Sequence, residues 1–106
     1  MQHIKHGDSI KAIQHKVHLN AKEHGWWEGR SEKDIPTMLC LIHSEVSEAL
    51  EGYRNNDTAN FAEELADIVI RVLDMAEGFG IDLEEELIKK HAFNMERPFR
   101  HGNKRC

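Results

Sequence analysis

An all-α bundle is what this sequence predicts, and three observations carry the prediction. Two prolines, Pro36 and Pro98, interrupt 106 residues, and long stretches between them lack glycine. Apolar residues recur at three- and four-residue spacing, the period of a helix face. Capping residues precede each such stretch. A hydrophobic fraction of 40% and a charged fraction of 31% suit a globular chain, and the length suits one domain, residues 1–106. A domain this small buries a modest share of its surface, so a partner subunit would add stability.

The first helix is expected over about 9–24, with Asp8 or Ser9 as N-cap and Ile10, Ile13, Val17 and Ala21 on one face. A loop with Trp26 and Trp27 follows. The second helix, about 35–54, opens at Asp34 and tolerates Pro36 in its first turn. Asn55 to Thr58 reads as a turn, and the third helix is expected over about 60–78, where Asn60 and Glu63 resemble a capping box. Gly78 and Gly80 end it. The fourth, about 82–96, starts at Asp82 and stops before Pro98, leaving a basic tail over 97–106. The second helix carries an apolar arc of Leu39, Ile42, Val46, Ala49, Leu50 and Tyr53, and the third a comparable one from Phe61 to Ala76. Such breadth predicts burial on more than one side, in a bundle interior or a dimer interface.

Charge and cysteine usage exclude several classes. Lys90 to Cys106 holds five cations against Glu96 alone; that +4 within a net charge of −5 leaves −9 for the rest of the chain. An acidic body argues against nucleic acid as the main ligand, which needs an extended basic surface. No apolar run is long enough to span a membrane, no secretory signal is expected, and Cys40 and Cys106 form neither a disulfide framework nor a zinc spacing. A reducing cytoplasm is the expected compartment.

The chemistry is expected at four acids. Glu45 and Glu48 lie three apart on the second helix, and Glu64 and Asp67 repeat that spacing on the third. One interpretation makes them ordinary solvated helix acids, Asp67 pairing with Arg71 one turn on. Yet both pairs border apolar faces, and four carboxylates converging between two helices would repel unless neutralised. Oxygen ligands suit hard divalent cations. A di-iron site needs Glu-x-x-His on two helices, and no Glu here has a His three residues later. Magnesium or manganese is therefore expected ahead of iron. His15 and His18, with no third ligand in place, are expected as helix-surface histidines, and Cys40 on the polar side of its helix.

Glu45-Val-Ser-Glu48, fifteen residues, then Glu64-Leu-Ala-Asp67 resembles the ExxE…ExxD signature of the MazG-like nucleotide pyrophosphohydrolases. Gly25-Trp26-Trp27 and the tail from Lys90 through Arg97-Pro98 to His101-Gly102 are similar to small members of that family. The resemblance implies an all-α, MazG-like four-helix core completed by assembly into a homodimer or homotetramer. It also implies Mg²⁺-dependent hydrolysis of an NTP or dNTP to the monophosphate and pyrophosphate, with Glu45, Glu48, Glu64 and Asp67 as metal ligands. Glu48 is the expected general base. Lys90, Asn94, Arg97, Arg71 and Trp27 are the expected substrate contacts, a base stacking on Trp26 or Trp27. The competing expectation is a non-catalytic helical oligomer that binds a protein or nucleotide partner through its acidic groove and basic tail.

Overall fold

The computed structural model describes residues 2–98; the expected basic-tail residues Arg100, His101, Gly102, Lys104 and Arg105 lie outside the described residues. Four α-helices run α1 Ile10–Glu23, α2 Ile35–Arg54, α3 Thr58–Gly78 and α4 Leu83–Met95, with one 3-10 turn at Glu32–Asp34 and no strand among the described residues. None of the helices is long and apolar enough to cross a membrane.

Side-chain caps set most of the helix starts. The Ser9 hydroxyl accepts from the Ala12 amide at 3.1 Å and opens α1. Ser31 and Asp34 close the 3-10 turn, the Asp34 carboxylate accepting from the Ser31 amide at 2.8 Å, and Pro36 then sits in the first turn of α2. Asp82 caps α4 by accepting from the Glu85 amide at 3.1 Å. The start of α3 corrects the expected boundary. Asp57, not Asn60, is the N-cap: its carboxylate accepts from the Asn60 amide at 3.1 Å, so the helix begins at Thr58. An Asp three residues ahead of a free amide is the better cap, and Asn60 becomes its hydrogen-bonded partner.

The central element is α3, with α2 packed along one side and α1 along another; α4 leans on α1 and α3. Three residues join α2 to α3, which forces an antiparallel pair. Gly52 lets that pair approach closely, since a Cβ there would lie 3.2 Å from the Phe61 amide nitrogen. At the other end of α3, a Cβ on Gly78 would overlap the six-membered ring of Trp27. The loop tryptophan thus packs directly onto the helix backbone.

The apolar core is thin. Val17, Met38, Ala49, Leu73 and Ala76 are its buried residues. Of the α2 arc only Ala49 is buried, while Leu39, Val46, Leu50 and Tyr53 stay exposed, Tyr53 to 70%. Leu65, Val69 and Ile70 on α3, and Leu87 and Ile88 on α4, are exposed as well. The radius of gyration, 16.2 Å, exceeds the roughly 13 Å of a compact 100-residue domain. The arcs expected to be buried on several sides are covered on one.

Candidate functional site

The α2–α3 pairing brings Glu45, Glu48 and Glu64 together. Each offers a carboxylate oxygen within 4.8 Å of the other two. The i, i+3 spacing aims both α2 acids at the facing helix, and the antiparallel register places Glu64 opposite them. Glu48 is exposed to water, whereas the Glu45 side chain is 13% exposed. Asp67 does not join this cluster. It lies one turn further along α3 and lines, beside Glu45, a cleft of about 410 Å³. The four acids arrive as three plus one.

The three acids are not electrostatically alike. Arg71 Nε donates to Glu45 Oε1 at 2.9 Å. Burial pushes the Glu45 carboxyl up, but the Arg71 hydrogen bond and charge, with hydrogen bonds shared with Glu64 and Glu48, outweigh it and leave its pKa below the usual range. Glu64 goes the other way, to about 7, through hydrogen bonding with Glu45, then burial, then the charge of Glu48. Its Oε2 is buried and has no hydrogen-bond partner among the described residues. A carboxyl in that position either keeps a proton near neutrality or meets a cation.

The Arg71 contact goes against the reading of the four as ordinary solvated helix acids. The intrahelical partner Asp67, one turn back, loses Arg71 to Glu45 on the neighbouring helix, a less exposed acid whose charge is felt more strongly. Arg71 lines the cleft as well, its guanidinium carbon 5.6 Å from the Trp26 ring centre.

The two tryptophans divide. Trp27 donates its indole N–H to Asp74 Oδ1 at 2.9 Å and sets its ring edge-on to His18 and Phe79, at 4.9 and 5.5 Å between centres. Trp26 borders the cleft, with the Arg30 guanidinium 4.3 Å from its ring centre. His18 corrects the expectation of a surface histidine: its side chain is 15% exposed, and Nδ1 donates to the same Asp74 Oδ1 at 2.9 Å. His15 stays on the surface, 3.4 Å from Glu77.

Lys90, Asn94 and Arg97 are exposed on and just after α4, and none of them lines the cleft. The Lys90 ammonium sits 4.8 Å and the Arg97 guanidinium 5.8 Å from the Phe93 ring centre. Within one chain these cations are not gathered with the acids.

Asp74 is the residue that sequence reasoning missed. It is buried on α3, holds both His18 and Trp27, and lines the cleft. Its signal was a lone Asp inside the apolar run between Leu73 and Ala76, where a charge survives burial only with donors around it. Compared with known proteins, the chain matches no family model, no curated protein and no solved structure.

Proposed function

We propose that this protein hydrolyses a nucleoside triphosphate to the monophosphate and pyrophosphate. The observation that carries the proposal is the convergence of Glu45, Glu48 and Glu64, with one buried Glu64 oxygen lacking a partner, beside a cleft lined by Asp67, Arg71 and Trp26. The donor set is oxygen alone, which fits Mg²⁺ or Mn²⁺; Glu45, Glu48 and Glu64 would hold the ion and Asp67 would join from the next turn. A bound Mg²⁺ supplies Lewis-acid polarisation of the phosphate oxygens and offsets the charge of the departing pyrophosphate.

The side chains do the rest. Glu48, the most water-accessible of the three, accepts a proton from the attacking water at a carboxylate oxygen. The water oxygen bonds to the α-phosphorus, the bond from that phosphorus to its bridging oxygen breaks, and pyrophosphate leaves with the electron pair. Arg71, held by Glu45, fixes that carboxylate's orientation and brings a cation to the cleft wall.

The exposed apolar faces of α2, α3 and α4 and the large radius of gyration support assembly into a homodimer or homotetramer. Assembly would bring a second chain's Lys90, Asn94 and Arg97 to the acids, where one chain does not. Nucleotide substrates suit a cytoplasmic setting.

Glu45→Gln and Asp67→Asn each remove a charged ligand without changing shape. Both should abolish pyrophosphate release in Mg²⁺ while leaving the helical circular dichroism intact. Normal turnover in both variants would sink the proposal.

A further inference from the structure

The cleft beside the acids has a second polar end, formed by Asp74. This carboxylate lies seven residues beyond Asp67 on α3, about 10 Å along the axis, a distance a nucleoside spans from its 5′-phosphate to its base edge. Trp26 and Arg71 wall the same cleft, and its volume of about 410 Å³ falls within the roughly 300–1,000 Å³ of small-molecule sites.

The two oxygens of Asp74 are not equivalent. Oδ1 accepts from His18 Nδ1 and from Trp27 Nε1, both at 2.9 Å. Oδ2 accepts nothing among the described residues, and the Asp74 side chain keeps 12% of its surface exposed. A carboxylate that lines a cleft with one oxygen saturated and the other free presents a fixed acceptor to whatever enters.

Resting on the hydrolysis proposed above, we infer that Asp74 reads the base and selects nucleotides bearing an exocyclic amino group over those with a carbonyl in its place. Cytosine and adenine present an N–H₂ donor where uracil and hypoxanthine present an oxygen. The amino group donates to Oδ2. The carbonyl would face it acceptor to acceptor, with neither group able to recover its lost water.

The bonds at Oδ1 dictate what Asp74→Asn does. Two donors converge on that oxygen, so an amide nitrogen there would meet them donor to donor. The asparagine is therefore held with its carbonyl toward His18 and Trp27 and its Nδ2–H₂ in the place of Oδ2. The cleft's acceptor becomes a donor in an isosteric side chain.

The test measures kcat/KM for the pairs dCTP/dUTP and dATP/dITP with the wild type and with Asp74→Asn in Mg²⁺. The wild type should favour the amino member of each pair by about ten-fold or more. In Asp74→Asn both ratios should fall below one. Equal use of both members by the wild type overturns the inference, and so does an amino preference that survives in Asp74→Asn; hydrolysis itself stands in either case. If Asp74→Asn fails to fold, the wild-type ratios alone decide. Binding of dCMP against dUMP, followed by tryptophan fluorescence, needs no turnover. A preference there that is lost in Asp74→Asn, without hydrolysis of any triphosphate, upholds Asp74 as the base reader and removes the hydrolase proposal; equal binding of the two by the wild type removes the base reader.

Discussion

The carboxyl of Glu64 carries the sharpest consequence at the residue scale. Its folded pKa, about 7, lies above its ordinary 4.5, because it shares hydrogen bonding with Glu45 and sits partly buried near Glu48. A raised carboxyl pKa means the folded state holds the proton more tightly. Its contribution to stability in the metal-free protein is full below the ordinary value and is lost as pH rises through about 7. Glu64→Gln, neutral at every pH, should therefore melt above the wild type at pH 8 and not at pH 5, in EDTA. A cation must displace the same proton, so Mg²⁺ should bind more weakly at pH 6 than at pH 8, as read from the midpoint of its thermal stabilisation. Equal midpoints would separate Glu64 from the metal.

Some of these residues were legible in the sequence and others were not, for definite reasons. The spacing of Glu45 and Glu48, and of Glu64 and Asp67, identified the acids because i, i+3 neighbours share a helix face whatever the tertiary structure. It did not show that Glu64 would be drawn in and Asp67 left one turn away, since that depends on the axial register of α3 against α2. The partner of Arg71 was hidden for the same reason: its intrahelical neighbour Asp67 is visible in the sequence, its partner Glu45 across the interface is not. Adjacent Trp26 and Trp27 cannot be told apart by pattern, as both lie in a loop without period.

At the scale of elements, α3 organises the molecule, and its two ends are where single changes should tell. Asp57→Ala removes the N-cap and leaves the first-turn amides without their acceptor, which should cost about 1 kcal/mol in urea unfolding. Losing much less would mean that Asn60 serves as the cap after all. At the far end, Gly78→Ala drives a methyl group into the ring of Trp27. Overpacking of this kind costs about 1–3 kcal/mol. It should also shift tryptophan fluorescence, because the indole must leave its bond to Asp74. An unchanged spectrum would contradict the packing of the loop on α3.

Helix number, order and type followed from periodicity and punctuation, which are local properties. The α3 boundary moved by two residues because two polar residues, Asp57 and Asn60, competed for one capping role. Tertiary packing was legible only in part. The apolar arc on α2 is real as a pattern, but periodicity cannot say whether the same chain or another covers it.

For the whole molecule, the thin core and the exposed Leu39, Val46, Leu50, Tyr53 and Val69 favour an assembled state. Sedimentation equilibrium should give a dimer or tetramer at micromolar concentration. A monomer with full activity would remove the need for a second chain's Lys90 and Arg97. Chemistry at the acids would leave its mark in the labelled products of one incubation. The protein is mixed with Mg²⁺, a panel of NTPs and dNTPs and ¹⁸O-water, and the phosphates are resolved by mass spectrometry. Attack at the α-phosphorus gives monophosphate and pyrophosphate, with the heavy oxygen in the monophosphate. Orthophosphate as the first product, label in the pyrophosphate, or no turnover across the panel would contradict it.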